Sequence, residues 1–535
     1  MTPVSSSFSL PGWAGRLPLA LITLVLAVPV LTAGLSGLLA GGGETWHHIL
    51  TTELWSTTLT TLGMLALTGA LILAIAIPTA WLVTMYSFPG RAIFEWLLIL
   101  PLAAPGYVLA FAYYDLLNIS GPVQSALRDA TGWGARDYWF PDITSLPGLC
   151  FVLAVALYPY VYLTARSAFT TTSICAIDAA RTLGARPFSV LWRVAIPGAR
   201  PAIVAGLTLA LMEAAADYGA AGFLNVRTLT VGLFRAWSSY GDAAAAARMA
   251  LILLAIALIL QWVEKLQRGG AGVQATSKRW QSLDRPALSP LMGWLAAAFC
   301  ALVFALGFAV PIVRLIWVAV ETGDHGRNFT GALTTSLLLA SAGAAVAFIV
   351  GITIALAARR KGWLSWMAKA AASGGYAVPG AVLALGGIVA LNTLGLNLAG
   401  GLALVVLIWI YAARFSAAGA QPMEAALARA PRSMGDAARA LGAAPAVRVW
   451  KIDLPVALSG ALVAALILFV EILKELPATL MLRPANWDTL AVRAFAYAND
   501  ERLAAAALPC LLITGAGLLP VILLSWRLSK ARPGS

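Results

Sequence analysis

The stretch DAARTLGARPFSVLWRVAIP, residues 178–197, returns as DAARALGAAPAVRVWKIDLP, residues 436–455. Ten of the twenty positions are identical at a constant offset of 258; unrelated segments of an Ala-rich chain share roughly one or two. The two copies mark an internal duplication. Each is a polar, basic passage set in an otherwise apolar sequence, the pattern of a docking surface on a membrane protein.

Working outward, composition decides the compartment. The 535 residues are 60% hydrophobic and 11% charged, with a mean hydropathy of +0.84. Apolar runs recur at lengths that cross a ~30 Å hydrocarbon layer with about 20 residues. The sequence predicts an all-α polytopic membrane protein with twelve spans near 18–40, 58–84, 93–114, 147–168, 199–222, 246–264, 290–320, 332–357, 367–392, 400–416, 457–481 and 504–526. The run from Leu17 to Ala40 follows Arg16 and is longer than a signal-peptide core, so it is read as a retained first span. A formal charge of +13 fits Lys and Arg gathered in cytoplasmic loops, and no nucleic-acid partner is expected. With both termini cytoplasmic, both repeated segments fall inside, together with Lys265, Arg268, Arg285 and the Arg359-Arg360-Lys361 cluster.

Further landmarks extend the duplication. Leu59-Thr60-Thr61 matches Leu333-Thr334-Thr335, and the Pro105-Gly106 segment matches Pro379-Gly380, both at offset 274. The first half is thus 16 residues longer between these landmarks and the later repeat (274 against 258), and the loop near 115–146 takes the extra length. The expected organisation is a first repeat over 1–264, a polar linker over 265–289 containing Gly269-Gly270-Ala271-Gly272, and a second repeat over 290–535. Six spans in each half make the repeats parallel.

Each duplicated segment reads as helix, sharp turn, helix. Gly184 and Gly442 stand where a helix ends in a left-handed residue, and Pro187 and Pro445 where a new one begins. Ser433 supplies a capping-box-like start in the second copy. Trp192 and Trp450 with neighbouring Val190 and Val449 form an apolar ridge among basic residues. Such an element fits either a groove on another protein or the lipid headgroup layer. Retention of the Gly, both Pro positions and the Trp in both copies favours a specific socket.

The spacing resembles the loop signature of inner-membrane permeases of ATP-binding-cassette (ABC) importers. That signature is an acidic residue, Ala-Ala, three residues, Gly, nine residues, aliphatic, any, aliphatic, Pro. Here it is Asp178, Ala179, Ala180, Gly184 and Pro197, then Asp436, Ala437, Ala438, Gly442 and Pro455, with Asp where the family usually carries Glu. The segments beginning at Pro101, Gly121, Leu211 and Phe469 look like fused, two-copy ferric-iron permeases. The resemblance implies the ABC importer permease fold in a bacterial inner membrane. It also implies two copies of a cytoplasmic ATPase docked on the two loops, a periplasmic substrate-binding protein, and alternating access. Thiamine, polyamine, sulfate and molybdate permeases share that architecture. An ion-coupled secondary transporter is the alternative from another class, but it needs no duplicated docking loops.

Acids inside spans are costly and face a bundle interior. Glu213 and Asp217 in the fifth span recur as Glu471 and Glu475 in the eleventh at offset 258, each pair spaced to share one helix face. They are expected to line a translocation path or its outer gate, where carboxylates with Tyr107 or Tyr218 suit a highly charged cation. The competing reading is structural: Lys474 pairing with Glu471, and Arg483 with Glu475. Arg314 in the seventh span has no evident mate. No metal-ligand set is assigned. Cys150, Cys175, Cys300 and Cys510 are scattered, and His47, His48 and His325 form no cluster. The chain lacks a G-x-x-x-x-G-K-[ST] loop and any nucleophile–base set, so it is read as no enzyme. ATP and Mg are expected on the partner ATPase, with no cofactor bound by this chain.

Overall fold

The computed structural model describes residues 17–530 apart from positions 40, 172–179, 181, 186, 269–284, 325, 360–361, 397 and 430–431. Among the described residues nine helices are long and apolar enough to cross a membrane, and three bent helix pairs raise the number to twelve. All twelve overlap the expected spans, although the second begins at Glu44, the fifth at Phe188 and the eleventh at Val449, each earlier than expected.

The bends have local causes. In the third and ninth spans, Arg91–Ala103 meets the helical segment that begins at Gly106 at 95° and Trp363–Ala377 meets Gly380–Thr393 at 115°. Both breaks fall on the repeated Pro-Gly. A proline crowds the preceding residue out of the helical region, and Ala104 and Val378 are extended at ψ 123° and 133°. The helix stops there, and a new one starts at Gly106 or Gly380. The eleventh span bends by 58° between Leu458 and Ala461. There Gly460 lies so close to the Pro422 carbonyl that a Cβ would come within 2.5 Å of it.

The two halves interlock through their first spans. Leu17–Leu39 packs on the ninth span of the other half. Thr32 donates to the Gly386 carbonyl at 2.8 Å, and Trp409 Nε1 donates to the Val25 carbonyl at 2.8 Å. Reciprocally, the seventh span, Pro290–Thr322, lies against the first half. Tyr113 donates to the Leu306 carbonyl there, and Arg314 pairs with Asp115. That ion pair is the mate of Arg314 that the sequence hides, because Asp115 is 199 residues away.

The extra length of the first half folds as predicted into the third-to-fourth-span connection, where it includes the helix Pro122–Thr131. A further trace of duplication appears in side chains. Glu95 of the third span is paired with Arg166 of the fourth. At the matching positions of the second half (95 + 274 and 166 + 258), Lys369 pairs with Glu424 at 2.5 Å. The contact between the two spans is kept and its polarity is reversed.

Candidate functional site

The duplicated loops hold their turn by backbone geometry. Gly184 and Gly442 share φ = +79°. One residue later, the Ala185 N–H donates to the Ala180 carbonyl at 3.0 Å and the Ala443 N–H to the Ala438 carbonyl at 2.9 Å. This is the 6→1 bond of a Schellman stop, which a left-handed residue makes possible. Leu183 and Leu441, the residues before the glycines, are each 87% exposed, and Trp192 and Trp450 are exposed as well. The expected ridge is therefore present with different members. Val190 is buried in the core, and the two leucines stand in the open.

Beyond the turn both copies widen into one π-helical turn, Leu191–Ala195 and Val449–Asp453, just before Ile196-Pro197 and Leu454-Pro455. Proline has no N–H and its ring crowds the carbonyl four residues back, so an extra residue in the turn relieves the clash. In the second copy Asp453 is buried and accepts from Arg359 at 2.5 Å and faces Arg448 at 3.3 Å. Its counterpart Ala195 carries no charge. Ser433 does not cap a helix, because the helix Arg432–Ala440 already includes it. Asp178 and Ala179 lie outside the described residues, as does the side chain of Asp436.

The four intramembrane acids converge. Glu213, Asp217, Glu471 and Glu475 line one cavity of about 120 Å³ between the halves, and Tyr107 and Tyr218 line it too. They do not share uninterrupted helix faces, however. The helix Ile196–Ala216 ends immediately before Asp217, and Ala461–Leu473 ends two residues before Glu475. Each of these two acids turns back to hold the next short helix. Asp217 Oδ1 accepts from the Ala220 and Ala221 N–H groups at 2.7 and 3.3 Å. Glu475 Oε1 accepts from the Ala478 N–H at 3.0 Å, and Oε2 from the Thr479 N–H at 3.0 Å and its hydroxyl at 2.7 Å. Tyr411 OH lies 2.7 Å from the same threonine oxygen; with the threonine proton committed to the carboxylate, the tyrosine donates. These carboxylates meet the orphan N–H groups of a helix start, where negative charge is favoured.

The broken spans come to the same place. A Cβ on Gly106 would sit 3.0 Å from Asp217 Oδ2, and one on Gly380 would sit 2.6 Å from Glu475 Oε1. The Pro-Gly break of each half thus abuts the capping acid of that half, and only glycine permits the approach.

The pairings expected from sequence divide. Lys474 bonds Glu471 at 2.7 Å. Arg483 does not reach Glu475. It pairs with Asp488, which also takes Arg493 at 2.8 Å, because Arg483 follows the helix Pro477–Leu482 in extended backbone that carries it away from Glu475. Sequence reasoning missed Arg414 of the tenth span, which lines the cavity with Nη1 3.9 Å from Glu475 Oε1. A lone arginine in an apolar run is itself a signal. With Arg414 and Lys474, the cavity sets two bases against four acids. Glu213 has no ion pair or hydrogen bond among the described residues. No group of three or more His, Cys, Asp or Glu able to hold a metal ion occurs among them.

Comparison with known proteins bears on this geometry. Residues 72–269 match the family described as binding-protein-dependent transport system inner membrane component. The chain is 25% identical to the Fe(3+)-transport system permease protein FbpB 2 of Haemophilus influenzae over 83% of its own length and 84% of that protein's. It is 28% identical to the molybdenum transport system permease protein ModB of Escherichia coli, with 42% of this chain covering 99% of that one. It is 25% identical to the sulfate transport system permease protein CysT of Escherichia coli, with 50% of this chain covering 96% of that one.

Proposed function

We propose that this chain, a multi-pass inner-membrane permease whose residues 72–269 belong to the binding-protein-dependent family, is the fused two-half permease of a ferric-iron importer. The family implies an ATPase and a periplasmic binding protein as partners and a transport role in place of catalysis. The finer reading is that two ATPase subunits dock on loops 178–197 and 436–455, one in each repeat. Their closing and opening shifts the bundle between outward-facing and inward-facing states. Both termini then lie in the cytoplasm. Full-length coverage of a molybdenum permease by 42% of this chain supports two permease units, 1–264 and 290–535, joined by the linker 265–289.

The observation that carries the substrate class is the cavity between the halves, where four carboxylates outnumber two bases. Carboxylates are hard oxygen ligands that match a highly charged cation. An oxyanion such as molybdate or sulfate would meet net negative charge, and the helix starts that would otherwise attract it are already occupied by Asp217 and Glu475. The test is uptake of labelled ferric iron against labelled molybdate and sulfate. The host cells lack their own importers and express this chain with its partner ATPase and binding protein. Iron accumulation supports the reading; accumulation of an oxyanion in its place refutes it.

A further inference from the structure

We infer that Arg414 is the resident counter-cation of the acidic cavity and sets its selectivity, barring monovalent and divalent cations while yielding to a more highly charged one. This rests on the cation-path reading above. Arg414 comes from the tenth span, and the offset of 258 pairs it with Ala156 of the fourth, which lines the cavity from the other half. One wall thus carries a fixed positive charge that its duplicate lacks.

Arg414 is 8% exposed, and its Nη1 has no hydrogen-bond partner. Its approach to Glu475 Oε1, 3.9 Å, is too long for a hydrogen bond. Both oxygens of Glu475 are already engaged by Ala478 and Thr479. The guanidinium lies over the Phe415 ring, 5.4 Å from its centroid, and is otherwise held by the field of the acids without a hydrogen bond at Nη1. Lys474 differs, being bonded to Glu471 at 2.7 Å.

Attraction to a carboxylate scales with the charge of the cation. Repulsion by the arginine scales with the ion's charge in the same way and ranks no ion above another; displacing the resident charge is instead a fixed cost, which a monovalent ion does not recover and the larger gain of a trivalent ion offsets. Excluding competitors by a built-in charge that they do not displace is selectivity through unfavourable contacts. Glu213, the one cavity acid without a hydrogen bond or ion pair, is the group free to receive the incoming ion.

The test uses Mn²⁺ as the probe, its binding to the purified full-length chain read from loss of the free-ion EPR signal. Arg414→Met and Arg414→Gln are expected to bind Mn²⁺ at least about tenfold more tightly than the parent chain. Arg414→Lys, which keeps the charge, should match the parent, and Glu213→Gln added to Arg414→Met should restore the parent value. Arg414→Gln retains hydrogen-bonding capacity should the Met variant fail to insert. Unchanged Mn²⁺ binding in the charge-removing variants, with normal iron uptake in cells, overturns the resident-cation role and leaves the iron reading standing. Loss of molybdate or sulfate uptake in those variants without any gain in Mn²⁺ binding makes Arg414 an anion ligand and overturns both.

Discussion

The four cavity acids have two kinds of surroundings, and substitutions should separate them. Asp217 and Glu475 cap short helices, so Asp217→Ala and Glu475→Ala are expected to lower stability by about 0.5–2 kcal/mol each. Glu213 supports no helix start, and Glu213→Gln should cost less stability than either capping substitution while depressing iron uptake. Thermal unfolding in detergent beside uptake in cells reads both effects. A Glu213→Gln variant that melts early and transports normally would reverse the assignment. The acids were legible in sequence because duplication repeats them at one offset. Their capping role was not, since i, i+4 spacing implies a shared face only while the helix continues, and here it stops between them. The Lys474–Glu471 pair was equally legible as a local i, i+3 contact. Arg314–Asp115 depends on the packing of distant spans and left no local trace.

The proposed coupling belongs to the scale of the element. The left-handed backbone at Gly184 and Gly442 costs a β-branched residue about 1–2 kcal/mol, although open space surrounds both positions. Gly184→Val with Gly442→Val should therefore insert normally yet misdirect the helices that follow, reducing ATPase co-purification and substrate-stimulated ATP hydrolysis. Unaltered hydrolysis in the double variant would remove the docking role from these loops. The third and fourth spans offer a second test. Glu95 is nearly buried and pairs with Arg91 at 3.2 Å as well as with Arg166; Glu95→Lys leaves buried like charges together and should destabilise by about 3–5 kcal/mol. The second half holds Ser365, Lys369 and Glu424 at the matching positions. Transplanting that set as Arg91→Ser, Glu95→Lys and Arg166→Glu should recover most of the lost melting temperature, and no recovery would mean that the reversed polarity is not a self-sufficient pair. The Pro-Gly landmarks were visible in sequence as repeats. Bends of 95° and 115° were not, because a proline predicts where a helix ends but not where its continuation packs.

At the scale of the molecule, the exchanged first spans tie the halves together by packing. Chains divided within 265–289 and co-expressed should co-purify, whereas removing both exchanged spans, the first with its contacts to Gly386 and Trp409 and the seventh with its contacts to Tyr113 and Asp115, should release one half from the other. Co-purification that survives this removal would make the exchange dispensable. Span number and the parallel repeat followed from apolar run length and the two offsets. Interlocking did not, since every lipid-facing and helix-facing run is apolar alike. The central claim joins the two sites: ATP-driven events at the cytoplasmic loops move a highly charged cation past the acidic cavity. It is tested most directly in liposomes holding the full chain with its partner ATPase, given the binding protein outside and ATP inside, by counting labelled ferric iron in the lumen. The account predicts ATP-dependent iron accumulation that Glu213→Gln with Glu471→Gln abolishes while the ATPase remains bound. Molybdate or sulfate accumulation in place of iron, or iron accumulation unaffected by that pair, would contradict it.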